Sequence, residues 1–149
     1  MSWTSTQIAS SGKLWTLCYG ANQGTNAANF RLSCLNKGPT LTVAKESRRN
    51  GIYGGYTSLS WTFPLGSNAA VVSSDSTVFT FRLTDRVDGT TNDFKQCSGT
   101  VITDHSGYGP YLNSGAFYLF STNVYLGDAG GCATADYMEY LRFEVYYLA

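Results

Sequence analysis

TVFTFRL, at Thr77–Leu83, and LRFEVYYL, at Leu141–Leu148, decide the fold class, because both alternate apolar and polar residues with a period of two. Phe79, Phe81 and Leu83 share one face of the first, with Thr80 and Arg82 on the other. Leu141, Phe143, Val145 and Tyr147 share one face of the second, opposite Arg142, Glu144 and Tyr146. A two-residue period places alternate side chains on opposite faces of a strand, so both segments read as half-buried β-strands. Leu14–Tyr19, Thr40–Lys45, Gly51–Tyr56, Thr100–Thr103 and Ala116–Phe120 are further strand candidates.

One short helix is expected between Asn26 and Leu35, capped by Thr25 or Asn26. Ala27, Phe30 and Cys34 form a single apolar stripe there. Asn36-Lys37-Gly38-Pro39 ends it, since glycine stops a helix and proline cannot continue one. Many short strands, Gly-rich turns and little helix imply two sheets packed face to face. The expectation is a mostly-β, two-sheet sandwich with one or two short flanking helices. Residues 1–149 read as a single domain, with residues 1–12 a loose N-terminal segment.

Composition narrows the function. The 149 residues contain 10 Lys+Arg and 10 Asp+Glu, for a net charge of zero. No uniform basic field exists to hold nucleic acid. Charged residues are 13% of the chain and hydrophobic ones 43%, which excludes a disordered chain. No apolar run is long enough for a membrane-spanning helix. The first residues (MSWTSTQIASSG) do not read as a signal peptide, although a leader removed earlier fits an extracellular chain. Cys18, Cys34, Cys97 and Cys132 lack zinc-ligand spacing. Their even number, with few charges, is read as disulfides of a secreted protein, with three pairings open, against the alternative of four reduced, buried thiols in a cytosolic domain.

Five blocks, in order, resemble the TLDc domain family: CLNKGPTLTVAKES at Cys34–Ser47, GIYGGYTSLSW at Gly51–Trp61, SSDSTVFTFRL at Ser73–Leu83, SGYGP at Ser106–Pro110, and the closing LRFEVYYL. Together they run from about Leu14 to the end. The resemblance implies the TLDc fold, a β-sandwich flanked by short helices. For function it implies an intracellular protein-interaction domain linked to oxidation resistance or the vacuolar proton pump, with no assigned catalytic apparatus. The chain departs from that pattern after Gly-Tyr-Gly-Pro, at Tyr111–Ala116, and over Asn123–Glu139.

The remaining motifs divide between architecture and chemistry. Gly54-Gly55 reads as a place where backbones approach closely or a strand bends, and Trp15 and Trp61 as core. Asp85–Asp93 does not fit a calcium loop and reads as a solvated hairpin. His105 is the sole histidine, flanked by Asp104 and Ser106, which would face away from it on a strand. Without a Gly-x-Ser-x-Gly elbow, the chain is not read as an enzyme. His105 remains either an exposed turn residue or a hydrogen-bond donor to a ligand.

Two regions, Asp104–Asn113 and Asn123–Glu139 with the run Gly127–Gly131, are read as polar loops that build a site. Calcium takes six to eight oxygens in flexible geometry, and Asp104, Asp128, Asp136 and Glu139 are the candidate metal ligands. His105, Tyr108, Tyr111, Asn113 and Tyr137 are the candidate ligand-binding residues, since tyrosine offers an apolar ring with a polar tip. The expected function is a secreted carbohydrate-binding protein, a calcium-dependent lectin for galactose-type glycans with no organic cofactor. Homodimerisation would give it avidity.

Overall fold

The computed structural model describes residues 14–47, 51–62, 70–84, 92–105, 107–113, 117–126 and 136–149. The N-terminal segment 1–12, the Asp85–Asp93 hairpin up to residue 91, Ser106, the run Gly127–Gly131 with Asp128, and Cys132 lie outside them. Eleven strands are described: β1 (Trp15–Asn22), β2 (Thr40–Glu46), β3 (Ile52–Thr57), β4 (Ala70–Ser74), β5 (Phe79–Thr84), β6 (Asn92–Ser98), β7 (Val101–His105), β8 (Tyr108–Leu112), β9 (Phe117–Phe120), β10 (Asn123–Leu126) and β11 (Asp136–Leu148). A 3₁₀ turn, Ala27–Phe30, runs into the one-turn helix α1, Arg31–Cys34.

All pairings between these strands are antiparallel, in the order β4-β7-β8-β9-β10-β11-β2-β3-β5-β6, with β1 also on β11. The thirteen-residue β11 joins two layers. Its first part, Asp136–Glu139, pairs with β10, whereas Tyr140–Tyr147 pairs with β2 and Arg142–Leu148 with β1. The β11–β2 register shifts between Tyr140 and Arg142, an irregularity of the kind that lets one strand pass between packed sheets. Tyr140 sits at this crossing, fully buried, and its hydroxyl donates to the Thr25 carbonyl. Burial, then Tyr19, pushes its phenol up to about 12.

The main core lies between the layers. Ala44, Tyr53, Phe143 and Val145 come from one layer, and Ile102, Leu112, Phe117, Leu119 and Val124 from the other. The mostly-β sandwich expected from strand periodicity is therefore the observed architecture. The helical stripe also holds: Ala27, Phe30 and Cys34 are fully buried in this core. The Asn26 side chain accepts from Ala28 N at 3.0 Å as the cap. Chain exit follows through Asn36 (φ 55°) and Gly38 (φ 82°).

Two expectations are corrected. Tyr146, placed on the polar face of the closing strand, is 6% exposed and packs with Leu41, Phe81, Trp15, Tyr56 and Phe79 in a second apolar cluster. The register puts Tyr146, Leu41, Tyr56 and Phe79 in one row, on the face opposite the main core. This layer is thus apolar on both sides, and alternation alone understates its burial. Second, the described residues of the polar regions read as loops are mostly strand. Tyr108–Leu112 is β8, Asn123–Leu126 is β10, and Asp136–Glu139 opens β11. Their tyrosines and valine supply the β-propensity that their glycines and asparagines conceal.

The blocks around Gly54-Gly55 and Asp75 lock the layers together. A Cβ on Gly55 would strike Leu112 Cδ1 of the facing layer, and one on Gly54 would strike the Thr42 carbonyl and Phe81. The glycine pair therefore permits close packing on both faces of β3. Asp75, 4% exposed, accepts from Thr57 Oγ1 (2.6 Å), Ser58 N (2.9 Å), Ser58 Oγ (3.0 Å), Thr77 N (2.9 Å) and Thr77 Oγ1 (2.6 Å). Burial alone would raise its pKa, but these hydrogen bonds outweigh that effect and hold the carboxyl well below the usual range. Trp61 Nε1 donates to Thr40 Oγ1 at 2.9 Å, and Gly38 N to Ser60 Oγ at 2.9 Å. Cys18 and Cys34 form a disulfide, with Cα atoms 5.4 Å apart, that ties β1 to α1. Cys97 is also disulfide-bonded.

Candidate functional site

Register brings the two site regions together on one face. Tyr111 of β8 pairs with Tyr118 of β9, Tyr118 with Tyr125 of β10, and Tyr125 with Tyr137 of β11. Four tyrosines therefore occupy one row across four adjacent strands. The Tyr111 and Tyr118 rings stack with centroids 4.6 Å apart and planes 14° apart. Tyr118 and Tyr125 stack at 4.8 Å and 26°. These separations equal the spacing of neighbouring strands, as a same-face cross-strand ladder requires.

A second row lies beside it: Tyr108, Phe120, Asn123 and Glu139 in successive register. Residues two apart on a strand share a face, so Tyr118 and Phe120 face the same way, as do Tyr125 and Asn123. Tyr108 and Tyr111 are three apart and should face oppositely. The β8–β9 register shifts between them, and that irregularity returns both to one face. Tyr108 consequently contacts Tyr111 (5.6 Å), Tyr118 (5.8 Å) and Phe120 (4.8 Å, edge-on). His105 extends the group, its ring 4.4 Å from Tyr108.

These rings are half-buried, and Phe120 is 39% exposed. Burial, followed by neighbouring Tyr108 and Tyr125, pushes the Tyr111 phenol above its ordinary value, so it remains a neutral donor in any physiological solution. In the two rows, among side chains the structure describes, only Glu139 carries a charge. The face can make apolar edge contacts and neutral hydrogen bonds, chemistry suited to a polyhydroxylated, uncharged ligand.

Other candidates take different places. Asp104, expected as a calcium ligand, is 3% exposed and points to the opposite side of β7 from His105. Its carboxylate forms an ion pair with buried Arg31 and accepts from Thr62 N and Thr62 Oγ1 (2.8 Å). The assignment is corrected: the Arg31 guanidinium occupies the position a cation would need. Arg31 also donates to the carbonyls of Thr62 (3.2 Å) and His105. Desolvation lowers the Arg31 pKa, and Asp104 partly restores it. Arg31 thus anchors the end of β7 behind the aromatic face. Its position four residues after Ala27, on the buried helical stripe, was the sequence signal for it.

His105 Nδ1 accepts from Gly107 N at 2.9 Å, which closes the β7–β8 turn and sets the imidazole on Tyr108. It is a half-buried strand end, not an exposed turn residue. Asn113 (φ 53°) follows β8 and donates to the Ser98 carbonyl at 3.5 Å, toward β6 and away from the rows. Glu139 is exposed in the second row and accepts from Gln23 Nε2 at 2.7 Å. Asp136 pairs in register with Leu126, outside both rows, and Asp128 lies outside the described residues. Among the described residues, no three His, Cys, Asp or Glu side chains converge as a metal site.

Tyr118, Tyr125 and Phe120 were not named from sequence. Each sits in a segment with a two-residue period, but only pairing reveals that their rings meet. Among the described residues, no helix is long and apolar enough to cross a membrane. In comparisons with known proteins, the family model for the TLDc domain matches residues 3–118. No curated protein matches the chain significantly.

Proposed function

The chain belongs to the TLDc domain family, and from that premise we propose that it is a carbohydrate-binding domain, a secreted lectin and not an enzyme. The observation that carries this reading is the tyrosine-rich face of β8, β9 and β10, with its stacked rings at strand spacing. Contiguous exposed apolar patches rimmed by polar residues mark interaction sites, and this face joins ring edges, with Phe120 39% exposed, to Asn123 and Glu139. The family match ends at Tyr118, so Tyr125 and Tyr137 of the row lie beyond it. The Cys18–Cys34 disulfide supports an oxidising compartment. Homodimerisation would present two such faces and raise avidity.

Calcium dependence is a separate part of the proposal. It rests on Asp128, Asp136 and Glu139, because Asp104 is committed to Arg31. The aromatic face needs no metal to work as described.

Glycan-array binding with calcium and with chelator tests both parts. The wild-type protein should bind one sugar class, with galactose-terminated glycans among those displayed. Tyr118→Ala should lose that signal while retaining the wild-type circular dichroism. Loss of signal with chelator would establish the calcium part, and Asp136→Ala should then imitate the chelator. A blank array with folded protein would refute the lectin reading and favour the intracellular protein-binding role.

A further inference from the structure

We infer, resting on the carbohydrate-binding reading above, that the ligand is an extended β-1,4-linked glycan lying across the strands along the tyrosine row, not a single terminal sugar. The stacking geometry carries this. Tyr118 is covered on one face by Tyr111 and on the other by Tyr125, with interplanar angles of 14° and 26°. A sugar cannot stack on a ring whose two faces are already occupied. What the interior of the row turns outward is a series of ring edges ending in phenol oxygens. Their ring centroids repeat at 4.6 and 4.8 Å.

A repeating surface favours a repeating ligand. A β-1,4-linked chain with equatorial linkages is a flat ribbon with hydroxyls along both margins. It advances per sugar by slightly more than one strand spacing, which is roughly 4.8 Å. From Tyr111 to the register position of Tyr137 the row covers about 14 Å, the reach of three to four sugars. Each phenol is both donor and acceptor and can meet a sugar hydroxyl in either sense. Edge contacts are small individually, so affinity must accumulate over several units.

The ends of the face also suit a neutral chain. His105 against Tyr108 bounds one side, and Asn123 and Glu139 hold the β10 and β11 positions of the second row. With Glu139 the one charged side chain described in the two rows, nothing there selects an anionic polysaccharide.

Isothermal titration of the full chain with cello- and chito-oligosaccharides of one to six units, and with free galactose, tests the inference. We expect no measurable binding of monosaccharides, a Kd at least tenfold lower for four units than for two, and a plateau beyond four. Tyr118→Phe and Tyr125→Phe retain the rings and should weaken tetrasaccharide binding several-fold while the circular dichroism stays that of the wild type. Free galactose binding as tightly as any oligomer would overturn the extended-chain inference and leave the lectin reading standing. Binding independent of chain length would do the same. Failure of every oligosaccharide, together with a blank glycan array, would remove the lectin reading and this inference with it.

Discussion

Removing the Asp75 carboxylate should be among the most destabilising single changes in this domain. Five hydrogen bonds converge on it from Thr57, Ser58 and Thr77. Two of the donors, Ser58 N and Thr77 N, are backbone groups that cannot rotate to other partners. In Asp75→Ala each stranded amide costs about 1–3 kcal/mol, and the three hydroxyl bonds add a smaller loss because hydroxyls can turn elsewhere. The total is about 3–5 kcal/mol, which for a domain of this size lowers Tm by roughly 12 °C. The same carboxylate should shape the acid limb of stability. Its folded pKa lies below its unfolded value, so its contribution is present in full above the unfolded pKa, about 3.9. That contribution is lost as pH falls through the folded value. Asp75→Asn should therefore be less stable at pH 7 yet lose less further stability between pH 5 and pH 2 than wild type. Calorimetric Tm across that pH range is the assay. A variant with wild-type Tm at pH 7, or with an unchanged acid slope, would refute the view that Asp75 is the polar clamp between β3 and β5.

Other substitutions address the remaining contacts. Gly55→Val should destabilise by about 2 kcal/mol or more in urea unfolding, because its side chain meets Leu112 and the Phe79 carbonyl. Arg31→Met should cost about 3–5 kcal/mol by leaving Asp104 buried and unpaired, and Arg31→Met with Asp104→Leu should recover much of it in the same assay. Replacing Cys18 and Cys34 by serine opens a loop with a sequence separation of 16 and should lower unfolding free energy by about 3 kcal/mol. Non-reducing peptide mapping should recover the Cys18–Cys34 pair from the native protein.

The sequence made much of the architecture legible because alternation and helix capping are local. Phe143 and Val145, Ala27, Phe30 and Cys34, and the Asn26 cap all stand where period and chemistry place them. Tyr146 misleads because its strand is buried on both faces, and a period-two pattern reports only one of them. The site was legible as composition and not as geometry. Tyr108 and Tyr111 in one polar region and Tyr137 in another were identifiable by their side-chain chemistry, but only the pairing of β8, β9, β10 and β11 brings the two regions to one face and adds Tyr118 and Tyr125. Asp104 illustrates the converse. Its chemistry fits a metal ligand, and only the fold reveals that Arg31, 73 residues away, already holds it.

Titrating ring-labelled tyrosine protein with the best-binding glycan, followed by heteronuclear NMR, tests the aromatic face most directly. Tyr108, Tyr111, Tyr118 and Tyr125 should shift together and saturate at one Kd, while Tyr53, Tyr140 and Tyr146 stay unmoved. Shifts confined to Tyr56 and Tyr146, on the far side of the other layer, with the tyrosine row silent, would contradict the assignment.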